Sequence, residues 1–155
     1  MPADLLKLAS VAYIHYLSFM ICFGALIFEH ITLKPNPNRQ EAISMVVADI
    51  IYGIAGVCLL VSGIYRVIKF GQGAEFYTQN PIFWTKIVVF ALVGSLSLYP
   101  TITYVLWAIP LSKGNLPQVK ENLVSRLRLI IKFELVGFAS IPFLATLMAR
   151  GVGLG

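Results

Sequence analysis

Charge is the first thing this sequence lacks. Only 12% of its 155 residues are Asp, Glu, Lys or Arg, whereas a soluble domain carries about a quarter. That shortage excludes an ordinary water-soluble globule. Histidine is scarce too: His15 and His30 are the only two. At ~1.5 Å per residue they lie ~22 Å apart along one helix, which excludes a bis-histidine haem site within a single chain. No Cys-x-x-Cys-His run is present, so covalent c-type haem attachment is excluded as well. The two cysteines, Cys22 and Cys58, fall at depths of ~10 Å and ~20 Å from their connecting loop. A disulfide needs Cα atoms within about 7 Å, so both are expected to be small packing residues. No repeats or low-complexity segments stand out. A removable signal peptide is not expected either: "MPADLLKLAS" places Asp4 before Lys7, and the apolar run continues without a small-residue cleavage site.

Long apolar runs fill the space that charge leaves. Four of them, Leu5 to Phe28, Ser44 to Val67, Pro81 to Ala108 and Leu129 to Ala149, each reach the roughly 20 residues that cross a hydrocarbon core of about 30 Å. The expectation is one all-α domain over residues 1–155, an antiparallel four-helix transmembrane bundle. Its connections are short and clearly punctuated. "KPNPNRQE" breaks the first helix, and Asn38 with Glu41 resembles an N-cap pair for the second. Gly71 suits a C-cap after the second helix, and Asn80-Pro81 suits an N-cap followed by a first helical position. Short connections make successive helices antiparallel neighbours.

Four spans put both termini on one side, here side A, with the loop between the second and third helices. Side B holds the other two loops. Side B carries seven basic residues (Lys34, Arg39, Lys113, Lys120, Arg126, Arg128, Lys132) and side A five (Lys7, Arg66, Lys69, Lys86, Arg150). This asymmetry favours side B as cytoplasmic. The net charge of +5 does not suggest nucleic acid, because five basic residues gather in "KGNLPQVKENLVSRLRLIIK", where interfacial snorkelling accounts for them. Trp84 in "FWTK", Tyr77 and Trp107 are expected near the membrane interfaces.

The polar residues inside the spans carry the functional question. At about 100° per residue, His15, Ser18, Cys22 and Glu29 share one face of the first helix. Asp49, Tyr52, Gly56 and Gly63 share a face of the second; Lys86, Val93, Ser97 and Tyr104 of the third; Glu134 and Gly137 of the fourth. Ionisable groups at this depth normally face protein or water. His15 and Lys86 sit at similar heights from side A, separated axially by only ~7 Å. They could line one cavity; equally, His15 could bond Ser97 or a backbone carbonyl while Lys86 snorkels. Glu29, Asp49 and Glu134 lie toward side B. They could relay protons or hold a cation; equally, Asp49 could complement the positive end of its helix and Glu134 could pair with Arg128 or Tyr104. His30, beside Glu29, reads as interfacial.

The blocks "HYLSFMICFGALIFE", "ADIIYGIAGVCLLVSGIYRV", "GAEFYTQNPIFWTK" and "SLYPTITYVLW" resemble a bacterial integral membrane family of unknown function, domain of unknown function 2214, frequent in cyanobacteria. Its members are multi-pass proteins, which would place this chain in a plasma or thylakoid membrane. More distantly, the chain is similar to the HemJ-type protoporphyrinogen oxidases, membrane oxidoreductases with a histidine on the first helix and a lysine early in the third. In that family the two residues are implicated in haem b association, and only His15 and Lys86 carry over.

The leading expectation is therefore an intramembrane cavity for non-covalent haem b or another tetrapyrrole. His15 would be its metal ligand, Lys86 would meet a carboxylate, and Arg66 or Lys69 would assist at the side A mouth. Two rivals stand beside it: a small structural or assembly subunit of a larger membrane complex, photosynthetic or otherwise, or a homo-oligomer; and a proton- or cation-coupled transporter using Glu29, Asp49 and Glu134.

Overall fold

The computed structural model describes residues 3–70 and 74–153. Four long helices dominate: α1 (Ala3–Thr32), α2 (Arg39–Tyr65), α4 (Pro81–Ser112) and α5 (Glu121–Ala149), with a short α3 (Ala74–Thr78) between α2 and α4. No strand occurs among the described residues. The chain is an all-α four-helix membrane bundle, as expected. Each long helix outruns its apolar core and continues into polar turns at its ends. α2 begins at Arg39, five residues before its apolar run, since Asn38 and Glu41 close a reciprocal capping box: each side chain meets the other's backbone N–H at 2.9 Å. α4 starts at Pro81, capped by Asn80, whose side chain accepts from the Ile82 N–H at 2.9 Å. The other expected cap, at Gly71, lies outside the described residues.

α2 does not end cleanly. Its last turn continues into a π-helical turn, Arg66–Phe70, which packs back against α1 and α3. Such turns shift the angular position of every side chain after them. Here the shift separates Arg66, which is half-buried, from Lys69, which is exposed.

Around the bundle the order is α1, α2, α4, α5, with α5 returning to α1; the backbones of the diagonal pairs stay apart among the described residues, and α2 and α5 meet only through side chains. Small residues set the closest approaches. At Gly137 on α5 an added Cβ would collide with the Val93 side chain of α4. At Gly63 on α2 it would come within 3.1 Å of the His15 ring on α1. Aromatic contacts knit the centre: Phe138 of α5 stands 5.4 Å from Phe19 of α1 and 6.2 Å from Tyr52 of α2. Outward, the surface is inverted relative to a soluble protein: Ile31, Val136, Tyr13 and Phe143 are each more than 60% exposed. Lipid covers such a surface.

Packing corrects one expectation, for Cys58, and buries Trp107 edge-on to Tyr104 at 5.2 Å. The helical period turns it inward with Tyr104, three residues before it. Of the cysteines, Cys22 packs in the core while Cys58 is exposed on the outer face; both are free thiols.

Side B is tied by specific polar contacts. Arg128 of α5 donates to the Leu33 carbonyl at 2.6 Å, closing the C-terminal end of α1. Lys34 pairs with Glu41 at 2.7 Å. On side A, the buried Asn80 donates from Nδ2 to the Val152 carbonyl at 3.2 Å, holding the chain after α5 against the start of α4.

Replacing Gly137 by Val should force α4 and α5 apart at a cost of about 1–3 kcal/mol. Gly24, where an added Cβ meets nothing within 4 Å, should tolerate Ala within about 0.5 kcal/mol. Unfolding of the two detergent-solubilised variants beside the wild type measures the difference.

Candidate functional site

Two polar neighbourhoods occupy the interior, at different heights. The one nearer side A centres on His15. Its Nδ1 lies 3.1 Å from the Leu59 carbonyl and 2.9 Å from Ser62 Oγ, both on α2. A carbonyl can only accept, so the proton resides on Nδ1. The Ser62 hydroxyl spends its own proton on the Cys58 carbonyl at 2.6 Å, which leaves its oxygen to accept from the imidazole. Nε2 therefore carries the lone pair and makes no hydrogen bond among the described residues. Gly63 makes the arrangement possible, since any side chain there would press on the ring. Of the bonds foreseen for His15, the backbone carbonyl is realised and the bond to Ser97 is not; Ser62 takes that place.

Cations surround this imidazole. Arg66 donates to the Tyr16 hydroxyl at 3.3 Å and lies over the Tyr16 ring at 5.0 Å, on the residue next to His15. Lys86 is half-buried, its Nζ 5.5 Å from the Phe83 ring centroid. Both Arg66 and Lys86 act on His15 electrostatically, Arg66 the more strongly. Lys69 is exposed on the π-helical turn, and no contact brings it to the imidazole.

The second neighbourhood lies toward side B. Glu29 of α1, Asp49 of α2 and Glu134 of α5 are 1%, 6% and 0% exposed, and Tyr104 of α4 is 0% exposed. Thus all four long helices contribute a polar group to one interior region. Asp49 accepts from Thr101 Oγ1 at 2.7 Å. Glu29 Oε1, both Glu134 oxygens and the Tyr104 hydroxyl are buried without a hydrogen-bond partner among the described residues. Between the two neighbourhoods, Tyr52 of α2 lies near Ser97 of α4, whose hydroxyl donates to the Gly94 carbonyl at 2.8 Å, and Cys22 Sγ approaches the Tyr52 carbonyl at 3.7 Å.

The structural roles foreseen for two of these carboxyls are corrected. Asp49 does not complement the start of its helix, because α2 begins at Arg39 and the dipole acts only within the first turn. Glu134 does not pair with Arg128, whose guanidinium is engaged by the Leu33 carbonyl. Tyr104 is its electrostatic neighbour, with no hydrogen bond between them. His30, near the end of α1, is half-buried, and its Nδ1 is buried without a partner among the described residues. Thr101 and Ser62, the residues that hold Asp49 and His15, carry no sequence signal beyond being small hydroxyl residues in apolar runs.

Surface hollows lie elsewhere. One is lined by Ala9, Ser10, Tyr13 and Ile14 on α1, another by residues of the two side B loops, including Pro35, Gln118 and Glu121. Among the described residues no group of three or more His, Cys, Asp or Glu side chains is arranged to hold a metal ion.

The family described as "Predicted membrane protein (DUF2214)" matches residues 7–153, which include all of these polar groups. The chain belongs to that family. It is a multi-pass integral membrane protein, with four helices long and apolar enough to cross a bilayer. It has no significant match among curated proteins or solved structures.

Thr101→Val would strip Asp49 of its one hydrogen-bond donor and leave a buried carboxyl unsatisfied. The expected cost is about 1–3 kcal/mol, read as a lower unfolding temperature in detergent. Thr101→Ser should restore most of it.

Proposed function

We propose that this DUF2214 protein binds a non-covalent haem b or related tetrapyrrole in the side A half of its bundle, where His15 would hold the metal. The observation that carries this reading is the state of the His15 ring. Metal-ligating histidines generally donate their second ring N–H to a carbonyl or other acceptor, which fixes the tautomer and aims the free nitrogen. His15 has that arrangement: Nδ1–H is shared between Leu59 and Ser62, and Nε2 is left open. The donor set fits the group. Arg66 and Lys86, which both act electrostatically on His15, would meet its carboxylates, and without Cys-x-x-Cys-His the binding would be non-covalent. The distant similarity to HemJ-type oxidases at His15 and Lys86 points the same way. Bound there, haem would supply one-electron chemistry. The chain's own part is to orient the ring through Ser62 and Leu59 and to place positive charge beside it.

The positive-inside tendency favours side B as the cytoplasmic face, so the His15 neighbourhood would lie in the opposite half of the membrane. An assembly or subunit role is the rival, and the same purification separates the two.

Purified protein titrated with haemin should develop a Soret band in the wild type and lose it in His15→Ala. Ser62→Ala, which frees the ring, should weaken binding about 10–100-fold. A wild type that stays colourless with added haemin, and that purifies within a larger complex, would overturn the cofactor reading in favour of the subunit one.

A further inference from the structure

The carboxyl–tyrosine cluster in the side B half makes no contact with the His15 neighbourhood's bonds and needs its own account. Glu29, Asp49, Glu134 and Tyr104 come from four different helices and are all buried. Each carboxyl acts electrostatically on Tyr104, and Glu29 and Glu134 each feel Asp49. The facing charges can be taken helix by helix. α1 supplies Glu29, α2 supplies Asp49 and Tyr52, α4 supplies Tyr104, and α5 supplies Glu134. No cation joins them among the described residues: Arg128 is held at the Leu33 carbonyl, while Arg126 and Lys132 are exposed.

Three ionised carboxylates without a counter-cation cannot be sustained in a low-dielectric interior, because each loses its hydration and repels the others. Either a metal cation or protons must neutralise them. The carboxyls are not gathered around a common point that would hold a metal. Protons need no such convergence. They also answer the second observation, the wholly buried Tyr104 hydroxyl with no partner, since hydroxyl and carboxylic acid groups can each donate and accept as protons move.

Heights complete the picture. The Cys22 contact with the Tyr52 carbonyl sets the register of α1 against α2. Asp49 lies three residues from Tyr52 toward side B, ~5 Å, and Glu29 seven residues from Cys22 in the same direction, ~10 Å. Arg128 at the Leu33 carbonyl sets α5 likewise: Glu134 lies six residues, ~9 Å, inward of that contact and Glu29 four residues, ~6 Å. Glu29 is thus the outermost of the three carboxyls, and it adjoins the half-buried His30.

We infer that Glu29, Asp49, Glu134 and Tyr104 form an intramembrane proton-binding site that exchanges with the side B face through Glu29. The site carries protonated carboxyl groups at neutral pH, and its protons are replaceable from water.

Infrared spectroscopy of the full-length protein in liposomes tests this. At neutral pH the wild type should show the C=O stretch of protonated carboxylic acid, shifted on transfer to D₂O. Glu134→Gln and Glu29→Gln should each remove part of the band, and Glu29→Gln should also slow the D₂O shift of what remains. Should either variant misfold, the wild type suffices: an apolar carbodiimide, which attacks protonated carboxyls, should modify Glu29 or Glu134, and less so as pH is raised. Absence of the band and of labelling at neutral pH would overturn the proposal. So would a band that never shifts in D₂O, or one abolished by sodium or calcium ions, which would make the site a metal site instead.

Discussion

At hydrocarbon depth there is no water to complete a hydrogen bond, and the rest of this structure follows from that constraint. Every backbone group must be satisfied within its own helix, so four helices carry the chain through the membrane. Every ionisable side chain must find a partner in protein or surrender its charge. Arg128 on the Leu33 carbonyl, Asn80 on the Val152 carbonyl and the Asn38–Glu41 capping box do this at the ends, where helices run out of internal partners. Inside, the same demand draws His15 to Leu59 and Ser62, and Asp49 to Thr101.

The interior is divided by sign. Toward side A an imidazole is flanked by Arg66 and Lys86; toward side B three carboxyls face a tyrosine. Between them, among the described residues, lie the neutral Tyr52, Ser97 and Cys22. Such a separation keeps the cationic groups at one height and the carboxyls at another. If both proposals hold, electron and proton chemistry would be stacked within a single small bundle.

Small residues govern how near the helices come, and therefore which polar groups can meet. Gly63 lets the His15 ring lie against α2, and Gly137 lets Val93 of α4 lie against α5. The π-helical turn after α2 acts similarly on side chains: it leaves Arg66 by Tyr16 and His15 while turning Lys69 outward. Two basic residues three apart would share a face on an unbroken α-helix. That is why Arg66 and Lys69 looked interchangeable along the chain.

What could be read in the chain itself was whatever a few neighbouring residues determine. Apolar length dictated four spans; Asn38 with Glu41, and Asn80 before Pro81, marked helix starts, because capping is a contact between residues two or three apart. The inward faces bearing His15, Glu29, Asp49, Tyr104 and Glu134 followed from the helical period alone. The partners of those groups did not. Ser62 rather than Ser97 for His15, Leu33 rather than Glu134 for Arg128, and the burial of Trp107 against Tyr104 all depend on the axial register and rotation of one helix against another. Those are settled by side-chain interlocking across the whole bundle, a property of pairs far apart in sequence, and only the tertiary structure decides them.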